Sequence, residues 1–167
     1  MKYKIENYPH FRVTGLKYKI KTESAFETIP EIWKKAKKDG TIKELSKLFM
    51  QTDYRPDGLL GIPKGGHFKK VTDMEYYLAV TTFVEGNNSY SELEIPKGMA
   101  RLDFPSCAWL IIDASKIPFS KYKDIYIFAQ EYLRTSEYKE ANLPAIECYI
   151  KDNREVWIPI VSCKDNN

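Results

Sequence analysis

The sequence predicts an α+β protein in which a β-α-β-β unit occurs twice. The strands join in one antiparallel sheet, with the helices on one face and a central ligand cleft on the other. Three observations carry this expectation. Residues 26–38 and 121–134 each repeat apolar side chains at helical spacing. Each follows an extended run (11–20 and 106–114) and precedes two more (59–63 and 74–84; 145–151 and 155–161). The chain is 167 residues long, which suits one domain built from two similar halves, about 1–88 and 89–163, sharing a core.

Taken in order, residues 2–20 alternate apolar and polar positions, and Pro9 and Gly15 divide them into a short piece and a longer strand with a bulge. Thr22-Glu23-Ser24 supplies capping residues for a helix whose apolar stripe is Phe26, Ile29, Ile32, Trp33 and Ala36. Pro30 is expected at the first helical position, with the turn before it separate. Gly40 ends the helix, and 42–49 form a short second one. Residues 51–73 are rich in turns, with a hairpin expected at Lys64-Gly65-Gly66, where the Walker phosphate-loop pattern is absent. Met74 to Val84 read as the clearest central strand, closed by a polar turn at 85–89.

The second half opens with an approach segment at 93–99. Strands follow at 99–104 and 106–114, kinked at Pro105, and then a helix over 121–134. Residues 136–143 form a loop stopped by Pro144, and 164–167 a frayed tail. Around Asp152-Asn153, 145–150 and 155–160 pair as a hairpin, which would set Ile158 opposite Glu147 and Trp157 opposite Cys148. Trp157 would then face away from Glu147, toward the helices.

Composition excludes several classes. The chain is 43% hydrophobic and 29% charged, too apolar for wholesale disorder. The net charge of +3 is spread out. Its densest basic run, Lys34-Lys35 and Lys37-Lys38, reads as a solvated helix face, so no direct nucleic-acid binding is expected. No apolar run approaches a membrane span and no signal pattern opens the chain. Cys107, Cys148 and Cys163 lack paired spacing, so free thiols and a cytoplasmic location are expected. His10 and His67 stand near turns without ligand spacing, and neither a metal nor a cofactor is expected. Cys107 and Cys148 read as small buried hydrophobes.

Glu147 is the anomaly, a carboxylate in mid-strand between Ile146 and Cys148. Burying it costs several kcal/mol unless a charge or hydrogen bonds meet it. A cationic ligand would relieve that cost, and flanking aromatic rings would each add about 0.5–2 kcal/mol of cation–π attraction. The competing reading is a structural pairing with Lys, Arg or Tyr. Alternation places Tyr149 on the same face. Tyr77 and Trp109, on predicted central strands, are further ligand-binding candidates, although core packing is the commoner fate of such rings. Trp33 reads as core.

Several stretches in order resemble the GyrI-like small-molecule-binding domains, also found as effector-binding domains of AraC- and MerR-type multidrug regulators. They are Phe11-Arg12-Val13-Thr14-Gly15, Ile29-Pro30-Glu31-Ile32-Trp33, Tyr77 to Phe83, Ile95 to Ala100, Ala145 to Tyr149, and Val156-Trp157-Ile158-Pro159-Ile160. The resemblance implies a duplicated β-α-β-β fold with a hydrophobic cleft. It also implies a cleft glutamate, here Glu147, that attracts hydrophobic, cationic or aromatic small molecules. No helix-turn-helix precedes the domain, so the stand-alone form is expected. Some relatives it resembles hydrolyse electrophilic small molecules, which would make Glu147 catalytic as general acid or water-positioning group. Others inhibit DNA gyrase, which would make the chain an interaction protein with a protein partner.

Overall fold

The computed structural model describes residues 1–49, 54–65, 72–87 and 94–164. The expectations for His67, for Gly66 in its hairpin turn, for Ser89 at the end of its turn, for Leu93, and for the tail beyond Lys164 lie outside the described residues.

The chain runs β1 (Tyr3–Tyr8), β2 (Phe11–Lys21), α1 (Ala25–Lys38), α2 (Thr41–Phe49), β3 (Leu59–Lys64) and β4 (Asp73–Val84). It continues through β5 (Ala100–Phe104), β6 (Cys107–Asp113), α3 (Tyr122–Thr135), β7 (Tyr138–Glu140), β8 (Ile146–Ile150) and β9 (Asn153–Ser162). All nine strands form one antiparallel sheet in the order β1-β6-β9-β8-β3-β4-β2-β5, with β7 also on β9. Within it β3-β4-β2 mirrors β8-β9-β6, and the two sets meet where β3 pairs β8. The repeated unit thus reads outward from the middle of the sheet in both directions. The outermost strands cross over: β1, from the first half of the chain, pairs β6, and β5, from the second, pairs β2.

All three helices lie on one face. α1 sets Ala25, Ile29, Ile32 and Trp33 against Ile20, Met74 and Tyr76, while Leu45 and Leu48 of α2 reach Leu78 and Val80. Ile125, Tyr126 and Ala129 of α3 cover Leu110, Ile112, Val156, Ile158 and Ile160. Alternation sends the other residues of each strand to the opposite face. There Phe11, Phe104, Trp109 and Trp157 are fully buried with none of the described helices over them.

They are buried because the sheet curls. Phe11 and Phe104, near one end of the strand order, lie 5.8 and 5.7 Å from Trp109, near the other. Phe11 and Phe104 stack at 4.8 Å, and Trp157 meets Trp109 at 5.8 Å. The concave face is therefore packed core. Tyr54 and Arg55 close one end of it, Arg55 lying 5.1 Å over the Trp157 ring.

Three local expectations change. Pro30 sits inside α1, which begins at Ala25. Its ring is exposed, so the cost is limited to the missing N–H in the second turn. A short strand, β7, forms where a loop was expected, because the extended chain after α3 runs beside the free flank of β9. The final hairpin turns one residue earlier, at Lys151-Asp152, with Lys151 at φ +46°. Its register therefore pairs Glu147 with Val156, Cys148 with Glu155 and Ile146 with Trp157. The shift of two residues keeps each side chain on its face.

Candidate ligand-binding groove

Glu147 stands on the helix-bearing face, between α1 and α3, where alternation along β8 also sends Tyr149. On the helix-free face, where the cleft was expected, the described residues pack as core, the curved sheet bringing its own aromatic side chains together. The carboxylate meets two phenols. Tyr126 on α3 donates to Oε1 at 2.8 Å, and Tyr149 donates to Oε2 at 2.7 Å. No cation pairs with Glu147 among the described residues. The structural reading, a pairing with Lys, Arg or Tyr, is met among the described residues by tyrosine alone.

The walls are aromatic. Trp33 of α1 meets the Tyr149 ring edge-on at 4.8 Å and donates its indole N–H to the Tyr76 hydroxyl at 2.8 Å. Phe119, in the turn before α3, lies 5.9 Å from Tyr149 and 5.2 Å from Tyr122. Phe119 is 63% exposed and Phe26 is 86% exposed, so two large rings stay in water. Phe26 precedes Trp33 by seven residues, two turns along the same flank of α1. Gly61, opposite Glu147 on β3, makes room for the Tyr76 hydroxyl, which a methyl group there would run into.

Desolvation governs the titration. Burial raises the Glu147 pKa above the ordinary carboxyl range, and the bonds from Tyr149 and Tyr126 pull against that rise. Burial and the Glu147 charge together push Tyr126 and Tyr149 far up, so both phenols stay protonated and donate. Tyr122 is pushed up to about 12, chiefly by burial. Glu147 nevertheless keeps partial exposure, as do Tyr149, Trp33 and Tyr122. The carboxylate is recessed, but the groove is not sealed. Removing one phenol tests this balance. Tyr149→Phe is expected to raise the Glu147 titration midpoint, followed by carboxyl-carbon NMR. A lowered midpoint would mean that the Tyr149 bond does not stabilise the anion.

Tyr77 and Trp109 do not join Glu147. Both face the concave core, where Tyr77 donates to Glu75 at 3.2 Å and Trp109 is fully buried. Trp157 also lies there, on the face without helices. The groove instead draws on Tyr76, Trp33, Tyr122, Tyr126 and Phe119. A signal for the α3 pair existed, since Tyr122 and Tyr126 are four apart and share a helix face. Choosing Tyr76 over Tyr77 required knowing which face of β4 meets the helices, and a run apolar on both faces hides that.

Other expected features fall elsewhere. Lys34, Lys35, Lys37 and Lys38 are exposed on α1; a shallow charged depression lined by Glu31, Lys34, Lys35, Lys38 and Asp39 lies on the same helix without reaching Glu147. His10 sits 2.8 Å from Asp103, and no three potential metal ligands cluster among the described residues. Burial raises the Cys107 thiol to about 11 and the Cys148 thiol well above its ordinary value, leaving neither as a thiolate at neutral pH. Among the described residues no helix is long and apolar enough to cross a membrane.

Comparison with known proteins adds a family and a fold. A family model described as a GyrI-like small molecule binding domain matches residues 1–161. No curated protein sequence matches the chain. Among solved structures the chain is similar to SAV2435 bound to tetraphenylphosphonium, at 16% identity and TM-score 0.74, covering 100% of this chain and 98% of that one. It is also similar to the EcmrR C-terminal domain, at 16% identity and TM-score 0.58, covering 96% and 98%. A hydrolase from Listeria innocua aligns at 12% identity and TM-score 0.53, covering 96% and 92%. At these identities the likeness establishes a shared fold.

Proposed function

Because the chain belongs to the GyrI-like small-molecule-binding domain family, we propose that it binds hydrophobic, cationic aromatic molecules in the groove between α1 and α3, working in the cytoplasm. The observation that carries this reading is Glu147: a recessed carboxylate held by two phenols, with no cation beside it among the described residues. A neutral ligand would leave its desolvation cost standing, whereas a cation offsets it. Trp33, Tyr149, Tyr122 and Phe119 supply flat faces for the rest of the ligand. The tetraphenylphosphonium carried by SAV2435 has the required character, a permanent positive charge inside an apolar shell.

The test uses that cation and its proton linkage. Since the folded Glu147 pKa is raised, part of the population is protonated at mildly acidic pH, and a permanent cation must displace that proton. Calorimetric titration should show tetraphenylphosphonium binding with one site, affinity rising with pH up to the Glu147 midpoint and level above it. Below the midpoint the heat should vary with buffer ionisation enthalpy, reporting proton release. Affinity that stays flat with pH, or absence of binding, would sink the proposal.

A second reading rests on the same carboxyl. With a raised pKa and two protonated phenols at hand, Glu147 could position water against an electrophilic ligand or protonate its leaving group. Mass spectrometry of ligand recovered from the protein separates the two: intact ligand supports binding, and a gain of water marks turnover.

A further inference from the structure

A second charge stands on the same groove face. Arg154 pairs directly with Tyr149 across the β8–β9 ladder, which makes it the diagonal neighbour of Glu147 on the same side of the sheet. The two nonetheless do not pair. Tyr149 stands beside both, its hydroxyl taken by Glu147. Arg154 instead donates from Nη2 to the carbonyl oxygens of Ser115 at 3.0 Å and Ile117 at 2.8 Å. Its guanidinium lies 4.5 Å over the Phe119 ring and 5.7 Å over the Tyr122 ring. No carboxylate faces Arg154 among the described residues. Both backbone bonds use one nitrogen and the Tyr122 hydroxyl takes a further hydrogen bond from the side chain, so the N–H groups that are left are held in place with no anion to meet among the described residues.

Partly buried arginines ordinarily meet a carboxylate. This one is fixed at the rim by two carbonyls and two rings, next to an exposed phenylalanine, with a carboxylate that meets no cation among the described residues one diagonal step further in. We propose that Arg154 is a specificity-determining residue, and that the groove favours amphoteric ligands whose cationic aromatic body also carries an anionic group. The cation would meet Glu147, the ring system Phe119 and Tyr149, and the anion the guanidinium. This rests on the binding reading above and narrows its ligand class.

The experiment uses three probes: tetraphenylphosphonium, rhodamine B as its carboxylate zwitterion, and rhodamine B ethyl ester, which keeps the xanthene cation but lacks the anion. Affinities are measured for wild type, Arg154→Gln and Arg154→Lys. Wild type is expected to bind the acid about ten-fold more tightly than the ester, the scale of one charge-assisted hydrogen bond in a partly solvated site. Arg154→Gln should abolish that preference and leave tetraphenylphosphonium affinity within about three-fold, since that probe has no anion to lose. Arg154→Lys should keep part of the preference, which guards against misreading a general loss of structure. Equal affinity for acid and ester in wild type, or a ratio unchanged in Arg154→Gln, overturns the assignment while tetraphenylphosphonium binding still upholds the groove. Tighter tetraphenylphosphonium binding in Arg154→Gln with an unchanged ratio also overturns it, leaving Arg154 as a repulsive barrier to cations. If none of the probes binds, both readings fall.

Discussion

Glu147→Gln is expected to weaken tetraphenylphosphonium binding by about two orders of magnitude and to make the free protein more stable at neutral pH. The first effect follows from location. Losing one partner of a desolvated charge pair costs about 2–5 kcal/mol, which corresponds to about 30-fold or more in affinity. The glutamine amide keeps the shape of the carboxyl and an acceptor for one phenol, while the other hydroxyl must turn to accept from the NH2 group, so the main quantity lost is charge.

The second effect follows from linkage. Burial raises the folded pKa of Glu147, so the folded state holds the proton more tightly than the unfolded chain does. Stability then falls as pH rises from the unfolded carboxyl range through the folded midpoint, and the deficit is complete above it. Glutamine carries no such deficit. Denaturant melts should therefore show the variant ahead of wild type at neutral pH, with the gap closing as pH is lowered into the unfolded carboxyl range. A variant that is less stable at pH 7 and binds tetraphenylphosphonium as wild type does would make Glu147 a structural residue.

The second large effect concerns the other face. Trp109→Ala is expected to cost about 3–5 kcal/mol, because it empties a fully buried site among Phe11, Phe104 and Trp157. Trp109→Phe should cost much less, about 1–2 kcal/mol, since the ring contacts largely survive. The indole nitrogen of Trp109 is buried with no hydrogen-bond partner among the described residues, so that substitution gives up no bond there. Trp109→Phe should also leave tetraphenylphosphonium affinity unchanged, because its side chain points away from the groove. Chemical denaturation and calorimetry check both parts. A large loss of affinity in a well-folded Trp109→Phe protein would place the ligand on the concave face after all.

These two faces mark where sequence reasoning reaches and where it stops. Element order was legible because period and punctuation are local: the α1 and α3 stripes and the apolar strand runs needed no tertiary knowledge. Glu147 was legible as an oddity, since a charge between Ile146 and Cys148 is costly in any fold with a core. That Tyr149 shares its face followed from alternation. Which side of the sheet it occupies was not legible. Local pattern states that residues share a face, but curvature decides whether a bare face is a cleft or a core, and curvature arises from contacts such as Phe11 with Trp109 that are distant in the chain. For that reason the sequence could not tell that Tyr77 and Trp109 face the opposite side of the sheet from Glu147. The hairpin register shows a smaller failure of the same kind. Asp152-Asn153 suits a turn, yet Lys151 in the left-handed region moved it by one residue.

The exchange of β1 and β5 bears on how the two halves depend on each other. Each half lends the other its outermost strand, β1 capping β6 and β5 capping β2. A cut in the connection between β4 and β5 would leave each fragment with an orphaned strand and a bare sheet edge that only the other could satisfy. The halves are therefore complementary pieces of a clasp and not interchangeable modules. Glu147 lies at their seam, where β3 of one half pairs with β8 of the other.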